Sequence, residues 1–149
     1  MAKPIFILNG PNLNFLGTRE PHIYGATTLA QVQAMCERKA KELGLTVSFR
    51  QSNSEGQLVD WIQEAIGTAS AILLNPAGFT TTSVAMLDAL KMFNGPIIEV
   101  HISNIHKREA FRHHSYMSLA ATGVICGLGV HGYVLAVESA HNLINTAKA

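Results

Sequence analysis

Five short apolar runs, each closed by turn-forming residues and separated by segments with helical spacing, leave this chain few folds to choose from. Pro4–Leu8, Leu45–Phe49, Ala71–Leu74, Ile97–Val100 and Val124–Cys126 read as strands. Behind the capping-box pattern Thr28-x-x-Gln31, residues Leu29, Val32, Cys36, Ala40 and Leu43 recur at helical spacing until Gly44. A second such pattern, Ser54-x-x-Gln57, opens a helix through Leu58, Ile62 and Ala65 that stops at Gly67. A third helix is predicted from about Thr82 to Phe93, ended by Asn94-Gly95-Pro96, and a closing helix from about Gly132 to Asn145. Between them, a polar segment with a short helix runs to about Tyr116. Strands that alternate with amphipathic helices imply a parallel sheet with right-handed crossovers and helices on both faces.

The expected architecture is α/β: a flavodoxin-like, doubly wound, five-stranded parallel sheet forming a single domain over residues 1–149. Ligands of such sheets bind beyond the carboxyl ends of the strands, where strand order reverses. The residues just after the first, third and fourth strands are therefore informative. They are Asn9-Gly10-Pro11-Asn12, Asn75-Pro76-Ala77-Gly78 and His101-Ile102-Ser103-Asn104. Singly, Asn-Gly and Asn-Pro are turn punctuation. In the flavodoxin-like order these three strands are neighbours, so Asn12, Asn75, His101 and Ser103 would converge on one crevice rim. His101 is the candidate acid.

The stretch from Gly10 to Thr27 exceeds ordinary strand-to-helix loops and suggests a lid or binding loop. It holds Arg19 and Tyr24 between Gly17 and Gly25, which could serve as hinges. A cation beside a phenol favours the phenolate, and a tyrosinate over a crevice would be a general base. The alternative is a surface loop with an arginine stacked on a tyrosine. His106, His113 and His114 fall in a polar segment, and His113-His114 has no further ligands at zinc spacing, so no metal site is expected. Gly127-Leu-Gly129-Val-His-Gly132 has the form GxGxxG but lacks the following strand and acidic residue of a dinucleotide fingerprint. Its glycines instead suit a tight turn and close helix–strand packing.

Composition narrows the partners. A net charge of +1 with no basic run argues against nucleic acid or an anionic membrane surface, and no apolar stretch approaches the ~18 residues of a membrane span. The N-terminus enters a strand at once, without a signal peptide, and Cys36 and Cys126 form no CxxC; both features predict a cytoplasmic protein with two buried, inert thiols. Charged residues make up 14% of the chain, against about 25% in a typical domain, while 48% are apolar. A homo-oligomer whose interfaces replace charged surface is the favoured explanation, with a lightly charged monomer as the other. Trp61 and Phe93 are core or interface candidates.

The segments FILNGPNLNFLGTREPHIYG, FRQSNSEGQLVDWIQEA, NPAGFTTTSVAMLDAL, IIEVHISNIHKREAFRHHSY and GVICGLGVHGY together resemble type II 3-dehydroquinate dehydratase over nearly the whole chain. The resemblance implies a flavodoxin-like fold, a homododecamer built as a tetramer of trimers, no cofactor, and dehydration of 3-dehydroquinate to 3-dehydroshikimate in the shikimate route or in quinate catabolism. It implies Tyr24 as base, Arg19 as the essential loop arginine and His101 as acid. Asn12 would hold the water that supports an enolate oxygen, and Asn75 would orient the leaving hydroxyl and His101. Ile102 and Ser103 would bind the substrate carboxylate, Arg112 the ring hydroxyls, and Arg108 would add positive field near Tyr24. Asp88 would reach a neighbouring subunit's site. The family usually has a histidine in NPxxxTHTS where this chain has Thr81, so Thr81 takes the substrate-binding position by default. Two other functions compete: a non-catalytic paralogue that binds quinate-like ligands, and a flavodoxin-like mononucleotide binder. Against the second, the first loop lacks the Ser/Thr/Gly-rich phosphate cradle.

Overall fold

The computed structural model describes residues 2–147. Strands β1 (Ile5–Asn9), β2 (Val47–Gln51), β3 (Ala71–Asn75), β4 (Ile97–His101) and β5 (Gly123–Cys126) form one sheet in the order β2-β1-β3-β4-β5. Every pairing is parallel. The chain steps outward from β1 to β2 and then returns across β1 to β3, so strand order reverses between β1 and β3. That is the switch point where the crevice was expected.

The helices are α1 (Pro21–Tyr24), α2 (Leu29–Glu42), α3 (Glu55–Ala65), α4 (Val84–Leu90) and α5 (His131–Ala147). α2 packs with α5, and α3 with α4, on opposite faces of the sheet. The period of two in each strand divides the core accordingly. Ile5, Ile7, Leu73 and Val100 join Val32, Cys36, Tyr133 and Val137 under α2 and α5. Phe6, Leu8, Ile72 and Leu74 join Leu58, Ile62, Met86 and Leu90 under α3 and α4. Phe93 belongs to the second cluster, and Trp61 packs half-buried against it.

Local chemistry accounts for the helix starts. Thr28 and Gln31 form a reciprocal capping box: the Gln31 N–H donates to Thr28 Oγ1 at 3.2 Å and the Thr28 N–H to Gln31 Oε1 at 2.9 Å. The second predicted box forms only by half. Ser54 Oγ accepts from the Gln57 N–H, but the Gln57 side chain is taken by Ser52, whose hydroxyl donates to Gln57 Oε1 at 2.6 Å and accepts from the Ser54 N–H. The third helix is shorter than its spacing suggested: it begins only after the Ser83 cap, whose Oγ accepts the Met86 N–H, and ends at Leu90 rather than Phe93. The polar segment after β4 holds two 3-10 turns, Ile105–Lys107 and Ala110–Arg112, rather than one helix, and a third, Met117–Leu119, follows before β5.

The long first loop is folded. It contains a 3-10 turn at Leu13–Phe15 and α1, with Gly17 and Gly25 at φ 96° and 82° on either side. The Gly127–Gly132 stretch is a tight turn: a Cβ on Gly127 would sit 2.9 Å from Asn104 Cβ, so only glycine lets the β5–α5 connection pass this close to the end of β4. Of the two cysteines, Cys36 is fully buried and its thiol is pushed up to about 12, chiefly by that burial, whereas Cys126 is only half-buried on the edge strand.

Candidate active site

The carboxyl ends of β1, β3 and β4 change from apolar to polar at one level of the sheet. The last residue of each strand is Asn9, Asn75 or His101, and all three are buried. Asn9 and Asn75 are register partners. Above them the crevice opens, lined by Asn12, Arg19, Tyr24, Asn75, Thr81, His101, Ile102, Ser103, Arg108 and Arg112 among others. Ten of the eleven residues singled out from the sequence therefore share one cavity. The eleventh, Asp88, lies outside it, exposed on α4.

The first rim is held by the end of β2. Gln51 Nε2 donates to the Gly10 carbonyl and to Asn53 Oδ1, and Asn53 Oδ1 accepts the Asn12 N–H at 2.9 Å. These contacts hold Asn12 in a left-handed turn at φ 70°. Gly10 donates its N–H to the Asn75 carbonyl at 2.8 Å, and a Cβ there would collide with the Pro76 carbonyl oxygen. The rims from β1 and β3 are thus in backbone contact.

His101 is held by a partner that sequence reasoning passed over. Glu99 lies two residues earlier on β4, so its side chain leaves the same face of the strand. Its Oε2 is 2.5 Å from His101 Nε2, and it also accepts from Ser115 Oγ (2.8 Å) and Ser118 Oγ (2.6 Å). Glu99 is fully buried. Burial alone would push its carboxyl up, but the hydrogen bonds from His101 and Ser118, the charge of His101 and the bond from Ser115 outweigh it and hold Glu99 below the usual carboxylate range. An ionised Glu99 takes the Nε2–H and so fixes the ring's orientation and tautomer. The available signal was a lone acid inside an apolar run, at strand period from a histidine.

Tyr24 sits at the end of α1, facing two arginines that divide the work differently from the sequence expectation. Arg108 Nη1 donates to the Tyr24 hydroxyl oxygen at 2.9 Å and to Ser103 Oγ at 3.2 Å. Arg19 lies over the ring, 5.1 Å from its centroid, and pairs with Glu20 at 3.3 Å with 42% of its side chain exposed. Arg112 reaches the crevice while donating from Nε to both Glu109 oxygens at 3.2 Å. Thr81 ends the 3-10 turn at the β3 rim, half-buried. His106, His113 and His114 are exposed, and among the described residues no group of three or more His, Cys, Asp or Glu side chains could hold a metal ion.

This constellation offers a phenol with a cation on its oxygen, an imidazole anchored by a buried carboxylate, and a cationic wall of Arg19, Arg108 and Arg112 for an anionic substrate. Together these groups can remove a proton on one side of a small molecule and supply one on the other.

Residues 3–141 match the family described as Dehydroquinase class II. The chain is 60% identical over 147 residues to a 3-dehydroquinate dehydratase of Streptomyces avermitilis, an alignment that covers 98% of this chain and 92% of that one. It is 57% identical over 144 residues to a 3-dehydroquinate dehydratase of a Caulobacter species, covering 97% and 98%. The crystal structure of a type II dehydroquinase from Propionibacterium acnes superposes with a TM-score of 0.91 at 46% identity, over 95% of this chain and 98% of that one.

Proposed function

The chain belongs to the class II dehydroquinase family, and from that membership we propose how its residues divide the labour of removing water from 3-dehydroquinate to give 3-dehydroshikimate. The enzyme is a hydro-lyase of the shikimate pathway. Its substrate is a β-hydroxy ketone carrying a carboxylate, and the elimination is redox-neutral. Tyr24, as tyrosinate, takes the proton from the carbon next to the ketone. The electron pair moves into an enolate, whose oxygen is supported through a water held by Asn12. As the enolate collapses, the carbon–oxygen bond breaks and His101 hands its proton to the leaving hydroxyl, which departs as water. Proton return from Tyr24 to His101 through solvent closes the cycle. Ionised Glu99 occupies Nε2 of His101, which leaves Nδ1 to exchange the proton with substrate.

The backbone at Ile102 and Ser103, with the Ser103 hydroxyl, receives the substrate carboxylate, and Arg112 the ring hydroxyls. Asn75 donates to the leaving oxygen. Arg108, bonded at once to Tyr24 and Ser103, ties the base to the carboxylate pocket. Arg19 approaches the substrate when its loop folds inward. The subunits assemble as trimers within a dodecamer, in the cytoplasm, with Asp88 completing a neighbour's site. The exposed Phe111, Leu119 and Val124 and the bare edge of β5 support that assembly.

The observation that carries this reading is the 2.9 Å bond from Arg108 to the Tyr24 hydroxyl, in the crevice that also holds the Glu99–His101 pair. The test is Tyr24→Phe, followed by the absorbance of the conjugated enone product. The variant keeps the ring and loses the hydroxyl that would take the proton, so turnover should fall below detection with assembly intact. Activity within about tenfold of wild type would remove Tyr24 from the base role.

A further inference from the structure

Beneath the crevice lies a tyrosine for which the proposed chemistry has no use. Tyr133 stands in the first turn of α5, fully buried among core aliphatics, with its hydroxyl at the polar level of the sheet. That hydroxyl donates to Asn9 Oδ1 at 2.7 Å and accepts from Asn75 Nδ2 at 2.8 Å. Asn9 Nδ2 in turn donates to the Arg50 carbonyl on β2 at 3.0 Å.

Both ends of this chain of bonds have a forced polarity. The Arg50 carbonyl can only accept, so Asn9 must turn its nitrogen to β2 and its oxygen to Tyr133. Tyr133 must then donate to Asn9 and accept from Asn75. At the other end the Ala77 N–H can only donate, and it takes Asn75 Oδ1 at 3.2 Å. Ala77 is itself at φ 52°, an unusual conformation for a residue with a Cβ. Burial raises the Tyr133 phenol far above its ordinary range, so the hydroxyl keeps its proton and the relay keeps its direction. One hydrogen of Asn75 Nδ2 remains uncommitted, on a residue that lines the crevice.

We propose that Tyr133 is a positioning residue: with Asn9 and the Arg50 carbonyl, it locks the Asn75 amide so that this residue can only donate toward the substrate. The inference rests on the reading of Asn75 as the donor to the leaving hydroxyl. A donor eases departure of an oxygen gaining negative charge; a flipped amide would set carbonyl oxygen against its lone pairs. Tyr133→Phe deletes the hydroxyl, leaves Asn9 Oδ1 without its donor and Asn75 Nδ2 without its acceptor, so that only the 3.2 Å bond from the Ala77 N–H still opposes rotation of the Asn75 amide.

The experiment is a double-mutant cycle on the assembled enzyme, with Tyr133→Phe, Asn75→Ala and their combination, measured by steady-state kinetics. Tyr133→Phe should lower kcat about tenfold, the scale of one misdirected hydrogen bond, with KM within about threefold and the pH profile unmoved. In the Asn75→Ala background the same substitution should change kcat by less than about twofold, because Tyr133 acts through Asn75. A merely structural role would depress kcat in both backgrounds. Should Tyr133→Phe fail to assemble, Asn9→Ala tests the same relay: it strips the hydroxyl of its acceptor and should show the same dependence on Asn75. Wild-type kcat in Asn75→Ala overturns the Asn75 assignment and the proposal with it. A normal kcat in Tyr133→Phe beside a depressed Asn75→Ala overturns the proposal alone, as do losses that simply multiply in the double variant.

Discussion

Replacing Glu99 distinguishes what its shape does from what its charge does. Three donors converge on this buried carboxylate, from His101, Ser115 and Ser118. Glu99→Ala would strand the buried His101 Nε2–H, at about 1–3 kcal/mol, and open a cavity under it, while half-buried Ser115 and exposed Ser118 can turn their hydroxyls to water. A domain of this size has about 5–15 kcal/mol in total, so Glu99→Ala should melt well below the wild type. Glu99→Gln is nearly isosteric. Its carbonyl oxygen can take the place of Oε2 and accept from His101 and Ser115, while its amide donates to Ser118 Oγ, which can turn to accept. The fold should survive.

Glu99→Gln loses the charge on the bond to His101. Charge-assisted hydrogen bonds exceed neutral ones by about 1–1.5 kcal/mol, so kcat should fall about tenfold with KM little changed. The enone assay reads this directly, and thermal unfolding reads the stability. Acid adds an independent sign. The Glu99 carboxyl is held below the 4.5 of a free glutamate. Its contribution to stability is therefore fully present above that value and is lost as pH falls through the lower, folded-state value. Across that window the wild type should lose stability with a slope of up to about 1.4 kcal/mol per pH unit from this group, and Glu99→Gln should lack that component. Wild-type kcat in Glu99→Gln, or a well-folded Glu99→Ala with unchanged melting, would refute the reasoning.

Three further outcomes follow from the same geometry. Arg108→Ala removes the hydrogen bond to the Tyr24 hydroxyl and the link to Ser103, so kcat/KM should drop at least about a hundredfold, with Arg108→Lys restoring only part because the lysine nitrogen lies one bond short of where Nη1 sits; near-normal kinetics would count against the link. Thr81→His, placed on the rim beside the open space at Gly78, should raise kcat/KM about three- to thirtyfold, the worth of one recovered hydrogen bond, mostly through KM. A neutral or harmful result would mean the loop is already compensated. Light scattering should report about twelve times the subunit mass, and a stable, fully active monomer would refute both the assembly and the cross-subunit role of Asp88.

Much of this molecule was legible in one dimension because its signals are local. Short apolar runs located all five strands to within two residues at each end, with Asn-Gly-Pro and Asn-Pro closing β1 and β3, and the doubly wound sheet followed from the alternation and the strand count. The first loop was marked by its length, but its short helix was not, since the four residues Pro21–Tyr24 carry no periodicity. The Ser54 box failed by half because Ser52, two residues before the cap, competes for Gln57. Relations between distant segments were out of reach. Arg19 is near Tyr24 in sequence, yet Arg108, from the far side of β4, holds its hydroxyl. Glu99 looked like an interruption in a strand because Ser115 and Ser118, which satisfy it, arrive from a later loop.

The placement of the site follows from a difficulty of burial. A parallel sheet covered by helices on both faces must be apolar for most of its depth, and here β1, β3 and β4 are buried along their whole length. Any polar side chain at a strand end must find its partner inside the protein or meet the crevice. Asn9 and Asn75 sit side by side in register, where two amides could pair in several ways. Tyr133 and the Arg50 carbonyl remove that freedom, and Glu99 with its two serines does the same for the imidazole one strand over. Satisfying the buried groups thus leaves a defined remainder facing the opening: one amide hydrogen on Asn75 and one ring nitrogen on His101. Tyr24 and the arginines come from the segments above the strand ends, α1 with its loop and the turns that follow β4. The sheet-borne half of the site is set by the sheet's own hydrogen bonds, and the loop-borne half carries Tyr24, the proposed base.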